Sequence, residues 1–278
     1  MEQLRLSRPE DIPALRELWA LAFGDSGAYV DNFFQNYYRP ERMLVFEQDG
    51  QVLAMTAWFD TPLVLPGNEE LPAAYLYAVA THPSHRSQGL AGKLLTWADN
   101  YFRTLSIPVV TTVPARPDLH DFFAQNGFQE CFTHDQLIWR GKSALVQGYS
   151  LRPISPEEYG RLREELLVDS PHIRFPLDAL EYQLGCCRVS GGGLYRVDTP
   201  FGRAALCAEG MEEGQLLAKE LLGNSAVLSQ LPSQLDSLLP GFSGVYRLPG
   251  NTVSFGMIKW LSPISSSPKN AYLGLAFD

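Results

Sequence analysis

The apolar positions of this chain follow two rhythms, alternating and helical, which take turns along the first half. A short strand at residues 3–6 leads into Ser7-Arg8-Pro9-Glu10, which reads as a helix start with a capping box. Leu15, Leu18, Trp19 and Ala22 then recur at helical spacing. A second helix is predicted from Tyr29 to Tyr38. Strands at Met43–Glu47 and Val52–Phe59 flank Gln48-Asp49-Gly50, where Asp-Gly signals a hairpin. Pro62 to Pro72 reads as a loop or hairpin tip. The apolar strand Ala74–Thr81 is followed by a turn, a long helix over about 89–105 and a strand at Ile107–Val113. A short helix over about 118–126 ends at Gly127 as a C-terminal cap, before strands at Phe128–Phe132 and Gln136–Arg140. Helices crossing between strands put this half in the α/β (α+β) class with a mixed central sheet.

The pattern weakens between Gly141 and Gly148, which reads as a linker. Beyond it, Leu151-Arg152, Pro156-Glu157-Glu158 and Leu162-Arg163-Glu164 mirror Leu4-Arg5, Pro9-Glu10-Asp11 and Leu15-Arg16-Glu17 at a constant offset of 147 residues. Both copies spell a strand, a Pro-bearing helix start and an amphipathic helix, so a duplicated domain is expected. The predicted domains are 1–142 and a smaller, drifted copy of the same α+β kind at 148–278. In the second, a helix at 176–185 precedes strands Gly193–Val197, Arg203–Ala208 and Gln215–Leu222. A helix Ala226–Leu239 and strands near 243–248, 253–260 and 271–277 complete it.

Composition narrows the function. The net charge of −9 argues against nucleic acid, whose binders need a basic face, and suits a cationic partner such as an amine. Cys131, Cys186, Cys187 and Cys207 form no C-x-x-C pair, so reduced thiols are expected rather than a metal site or a disulfide scaffold, and Cys186-Cys187 reads as apolar filling. No stretch reaches a membrane span and the N-terminus lacks a signal core, so a cytoplasmic protein is expected.

Chemistry concentrates in Tyr75-Leu76-Tyr77-Ala78-Val79-Ala80-Thr81, a polar turn, and Arg86-Ser87-Gln88-Gly89-Leu90-Ala91. An apolar strand here runs into a helix that starts at a glycine. Helix N-termini carry unpaired N–H groups and a partial positive charge, so they hold anions. Gly89 and Ala91 permit close approach, and Arg86 adds a fork of donors. A rigid nest of this kind suits a pyrophosphate. The P-loop pattern fails at Gly141-Lys142-Ser143, and Gly191-Gly192-Gly193 leads into a strand, not a dinucleotide-binding helix.

Arg86-x-x-Gly89-x-Ala91, placed after the strand ending Val79-Ala80-Thr81, resembles the signature of the GNAT superfamily of acyl-CoA-dependent N-acetyltransferases. Phe122-Phe123-Ala124-Gln125-Asn126-Gly127-Phe128 looks like the family's short fourth helix ending in Gly-Phe, and the resemblance covers residues 1 to about 142. It implies acetyl-CoA as cofactor, with Val79, Ala80 and Thr81 pairing to the pantetheine arm. The N–H groups of Arg86, Ser87, Gln88, Gly89, Leu90 and Ala91 would cradle the pyrophosphate, with Arg86 and Lys93 side chains within reach. It further implies direct attack of an amine on the thioester, with a backbone N–H near Val79 facing the oxyanion.

The chain departs from the family where a tyrosine on the fourth helix protonates the thiolate: Phe123 stands there, and a phenyl ring donates no proton. Tyr75 and Tyr77, which alternation places on one side with Val79, are the substitute candidates, against a packing role for both. His120, His82 and His85 are weaker ones, and Asp60 and Glu69 are candidate attractants for a cationic amine. The chain also resembles the multi-domain enhanced-intracellular-survival aminoglycoside acetyltransferases, which bring a terminal carboxylate into the site; by that resemblance Asp278 is a third catalytic candidate. The expected activity is acetylation of a primary amine of a small molecule, with no metal, no nucleic acid and no membrane, and with a homo-oligomer allowed. The competing reading is a non-catalytic acyl-CoA-binding or regulatory module. The second half lacks an Arg-x-x-Gly-x-Gly pattern, so it is expected to roof the substrate side or form an interface.

Overall fold

A computed structural model describes residues 1–139, 146–211, 215–239, 244–263, 268 and 270–277. The first half runs β1 (Glu2–Leu6), α1 (Ile12–Phe23), α2 (Gly27–Asn32), β2 (Met43–Gln48), β3 (Gln51–Asp60), β4 (Leu63–Leu65), β5 (Glu69–Leu71), β6 (Ala73–Thr81), α3 (Leu90–Thr104), β7 (Val109–Thr112), α4 (Asp118–Gln125) and β8 (Gln129–Trp139). The second runs β9 (Ser150–Pro153), α5 (Pro156–Leu167), β10 (His172–Ile173), α6 (Leu177–Val189), β11 (Gly193–Thr199), β12 (Gly202–Gly210), β13 (Leu216–Leu222), α7 (Ser225–Gln230), α8 (Pro232–Leu238), β14 (Gly244–Pro249) and β15 (Val253–Trp260).

Most predicted elements stand, and the differences have local causes. Ser7 is not the helix cap: its hydroxyl meets Tyr38 Oη at 3.0 Å, and the Asp11 carboxylate accepts the Arg8 N–H instead. The two strands expected after Gly127 are one continuous β8, because β14 and β15 flank it on opposite sides. The helix expected over 226–239 is split into α7 and α8 at Pro232, whose missing N–H breaks the ladder. The linker predicted around 141–148 falls largely on residues 140–145, outside the described residues. Residues 271–277 form no strand; they run as a buried tail with two isolated bridges, Ala271 to Phe132 and Tyr272 to His172.

Twelve strands make one sheet in the order β1-β2-β3-β6-β7-β15-β8-β14-β13-β12-β11-β9. Read from either edge, the order is the same: four antiparallel strands, a parallel neighbour (β6 with β7, β13 with β14), then a strand from the other half. The exchange is reciprocal, since β15 pairs with β7 and β8 pairs with β14. Each half therefore completes the hydrogen bonding of the other. A second small sheet, β10-β4-β5, ties a first-half hairpin to the second half.

The faces of the sheet carry different cores. On one, α3 and α4 pack Leu90, Leu94, Phe102, Phe123 and Phe128 against Phe46, Trp58 and Leu76. On the other, α1, α2, α5, α6 and the tail converge in a continuous core that includes Trp19, Phe33, Phe59, Tyr77, Tyr182 and Phe277. The tail's backbone lies in a dry interior and takes donors from side chains. Arg163 Nη2 donates to the Leu273 carbonyl at 3.0 Å and Lys219 Nζ to that of Ala276 at 2.8 Å. The Glu220 carboxylate accepts from Arg163 Nε at 3.0 Å and from Tyr159 Oη at 2.7 Å, so the guanidinium is matched by a buried charge. Gly274, at φ +76°, turns the tail past it; a Cβ there would meet Glu220 Oε1 at 2.0 Å.

Removing one member of a buried ion pair strands the other. Glu220→Ala is expected to lower the unfolding free energy by about 3–5 kcal/mol, read from urea denaturation. A loss below about 1 kcal/mol would mean that Arg163 reaches water or another acceptor when Glu220 is gone.

Candidate active site

The predicted strand and the helix start behind it are both present, as β6 and α3. β6 is paired on both sides only through Leu76: its parallel partner β7 covers Ala73–Leu76, while β3 accompanies it to Thr81. Beyond Leu76 one edge of β6 is open, and the wedge between β6 and β7 leads towards the start of α3. There Ser87 and Gly89 have φ of +61° and +77°, and the backbone N–H groups from Ser87 to Gly92 have no acceptor among the described residues. A Cβ built on Gly89 would point into open space, and burial of Leu90 and Leu94 anchors the helix behind it. The donors, the open approach and the helix dipole together fit an anionic group such as a pyrophosphate. Arg86 is exposed beside them, its Nε 3.4 Å from the Thr81 carbonyl. Lys93 instead pairs with Glu2 at 2.9 Å, so it is part of a surface ion pair.

A bulge interrupts β6 where the wedge opens. Tyr77 faces Ala57 and Ala80 faces Met55, so Thr56 alone opposes both Ala78 and Val79, and Ala78 takes φ +52°. A non-glycine residue at such a φ costs about 1–3 kcal/mol, a strain that tends to collect at working sites. The extra residue shifts the alternation. Val79 packs with the α3 core, opposite Tyr75 and Tyr77, so the expectation that all three share a side is corrected here.

Tyr75 and Tyr77 lie in the core on the α1/α2 face. Tyr75 stacks on Phe277, centroids 5.7 Å apart. Tyr77 Oη stands 2.9 Å from Tyr182 Oη on α6 and 3.2 Å from Tyr29 Oη on α2, and Tyr29 Oη donates to the Phe277 carbonyl at 3.2 Å. Burial pushes all three phenols well above the ordinary tyrosine range. For Tyr77 the hydrogen bonds it shares with Tyr182 and Tyr29 act the other way. Phe277 fills the centre of the group, stacked on Phe59 at 4.2 Å and 5.3 Å from Tyr182. Asp278, the residue after it, lies outside the described residues.

The other candidates are occupied or distant. Phe123 is buried against Phe122 and Phe128 on the α3/α4 face, away from the phenols. His120 Nδ1 is held by Glu130 at 2.6 Å, and His82 Nδ1 by Ser84 Oγ at 2.7 Å, with His85 beside them. Asp60 is neutralised by Arg42 at 2.8 Å and accepts from Trp58 Nε1, while Glu69 is exposed. The four cysteines are free, and burial lifts Cys131 to about 11 and Cys186 to about 12, which leaves both as neutral thiols. Among the described residues no cluster of His, Cys, Asp and Glu is arranged for a metal, and no helix is long and apolar enough to cross a membrane.

Sequence reasoning missed Tyr29, Tyr182, Arg163 and the Lys219-Glu220 pair. Two adjacent charges inside the otherwise apolar strand Leu216–Leu222 were the available signal, since such charges are buried only when paired. Tyr29 and Tyr182 carried none, because a helix tyrosine is usually packing.

Residues 3–129 match a family model described as an acetyltransferase (GNAT) domain. A GCN5-related N-acetyltransferase from Anabaena variabilis superposes with a TM-score of 0.70 at 14% identity, over 94% of this chain and 73% of that one. Eis1 from Mycobacterium abscessus gives 0.66 at 13% identity, over 94% and 74%. A protein from Pyrococcus horikoshii gives 0.62 at 13% identity and spans 98% of this chain and 95% of its own. At such identities these structures share the fold. A search of curated protein sequences finds no match.

The phenols make alkaline stability predictable. A group whose folded pKa is raised favours the folded state while it stays protonated in the unfolded chain, and loses that advantage as pH rises through the folded value. Tyr29, Tyr77 and Tyr182 should therefore stay protonated in the native protein above about pH 10 and ionise only with unfolding. Ultraviolet phenolate absorbance followed alongside circular dichroism checks this. Ionisation of all twelve tyrosines before any loss of structure would contradict it.

Proposed function

Taking as premise that residues 3–129 are a domain of the GNAT acetyltransferase family, we propose that the protein uses acetyl-CoA to acetylate a primary amine of a small molecule. The observation that carries this reading is the wedge beside β6, which opens after Leu76, has the strained bulge at its mouth and leads to the unpaired N–H groups at the start of α3. Val79, Ala80 and Thr81 would offer their open backbone edge to the pantetheine arm. The N–H groups of Arg86, Ser87, Gln88, Gly89, Leu90 and Ala91 would hold the pyrophosphate, with the Arg86 guanidinium adding charge. Acetyl-CoA supplies an acetyl thioester whose carbonyl carbon is the electrophile.

The chain's own groups have three tasks: to keep the amine neutral, to face developing negative charge with a donor, and to move a proton. The Val79 N–H, released from regular pairing by the bulge, is the candidate donor. Of Tyr75 and Tyr77, the geometry favours Tyr77 as the proton source, because its hydroxyl lies between two other hydroxyls whereas Tyr75 supports the Phe277 ring. Asp278 follows a residue held within this group, so its carboxylate is the candidate acceptor for the amine proton. The net charge of −9 favours a cationic acceptor at long range. The second half acts as a drifted duplicate without a cofactor site. The palindromic strand order supports duplication, and β13 parts from β14 after Ala218 as β6 parts from β7 after Leu76. Burial of Phe123 on the far face favours the alternative, an acyl-CoA-binding module without turnover.

Calorimetric titration of acetyl-CoA into wild type and Gly89→Glu tests the site. Binding is expected in wild type and at least a tenfold loss in the variant, since the new side chain brings bulk and negative charge into the nest. An absence of binding in wild type overturns the reading, whereas binding without thiol release on any amine selects the alternative. A chain without Asp278 is expected to bind acetyl-CoA normally and turn over about 10²–10⁴ times more slowly. Unchanged turnover removes Asp278 from the mechanism.

A further inference from the structure

We propose that Tyr29 and Tyr182 are positioning residues that make Tyr77 an effective proton donor; this rests on the acetyl-transfer reading above. Three separate elements, α2, β6 and α6, bring three hydroxyls into one chain in a core of rings, at 3.2 Å and 2.9 Å. Its polarity is set at one end. The Phe277 carbonyl can only accept, so Tyr29 donates to it, Tyr77 donates to Tyr29, and Tyr182 donates to Tyr77.

That order describes the resting state. When the C–N bond forms and the C–S bond breaks, the electron pair of the broken bond takes the Tyr77 proton and becomes an S–H bond. Tyr77 is left as a phenolate in a nearly dry site, where an unassisted negative charge is costly. Tyr182 already donates to it, and the Tyr29 hydroxyl turns from the Phe277 carbonyl to become a second donor. Two neutral donors on one oxygen oppose the desolvation that otherwise holds the phenol in its neutral form. The proton released by the amine nitrogen, taken first by water, restores Tyr77 and closes the balance. The arrangement also gives the second half a task in the chemistry of the first, since Tyr182 lies on α6.

Tyr→Phe changes keep each ring and the packing it provides, so folding is preserved while single hydroxyls are lost. In cofactor-free protein with 3-fluorotyrosine at position 77, the fluorine resonance at neutral pH is expected to shift in both Tyr29→Phe and Tyr182→Phe, since each removes a hydrogen bond at that phenol. With acetyl-CoA, each variant should lose about tenfold in kcat with unchanged KM for acetyl-CoA, and a more acidic difluorotyrosine at 77 should restore much of it. In a Tyr77→Phe background the same two changes should cost nothing further. An unmoved fluorine resonance, or losses that persist without the Tyr77 hydroxyl, overturns the inference and leaves the two phenols as structural staples. Full turnover in Tyr77→Phe overturns the assignment of Tyr77 and this inference with it. Impaired Tyr77→Phe beside unaffected Tyr29→Phe and Tyr182→Phe overturns this inference alone.

Discussion

A backbone carbonyl buried away from water needs a donor, and the segment 271–277 enters the core without a strand to supply one. Much of the surrounding chemistry answers that need. Arg163 serves Leu273, Lys219 serves Ala276 and Tyr29 serves Phe277, each from a different element. Bringing two cations into a dry interior then requires anions, which Glu220 and Glu209 provide. The result is a line of buried charge along which the tail is fixed to within one residue of the phenol group. Such a pair contributes little net stability compared with an apolar core, and its effect is better described as setting register.

The same constraint accounts for the position of the second half. β8 and β15 are exchanged, so neither half has its full complement of hydrogen bonds without the other. The parallel pairs β6–β7 and β13–β14 each separate after a few residues, which leaves two strand edges open in corresponding places. Beside one, the Lys219 side chain holds the tail. The other remains beside the nest at α3, where the bulge at Ala78 and the left-handed residues Ser87 and Gly89 keep the backbone open towards an anion. Corresponding partings of a parallel pair thus lie beside the buried tail in one half and beside the start of α3 in the other.

The aromatic group between these edges is unusually self-sufficient. Rings from α2, β3, β6, α6 and the tail stack around Phe277, and their hydroxyls satisfy one another or a carbonyl. Burial keeps the phenols neutral, while mutual hydrogen bonding keeps their protons mobile in direction. This phenol group stands on the sheet face opposite Phe123, the position where the GNAT pattern has its tyrosine.

The nest at Arg86–Ala91, the strand before it and the helix behind it were legible in the sequence, because their signals are local: a glycine at a positive φ, a small residue after it and an apolar helical stripe. The repeat of Leu, Arg, Pro and Glu at a constant offset pointed in the same way to two similar strand-to-helix starts. What those starts become was not legible. Arg16 remains near the surface with Asp31, whereas its counterpart Arg163 is buried on Glu220, because only the second copy has the tail beside it. The exchange of β8 with β15, the side of the sheet on which Val79 falls and the meeting of Tyr29, Tyr77, Tyr182 and Phe277 were likewise decided in three dimensions. Sequence periodicity determines which face of an element is apolar. Which distant element covers that face, and which polar atoms must then find partners inside, depends on contacts between residues from 48 to 248 positions apart, and only the folded chain settles them.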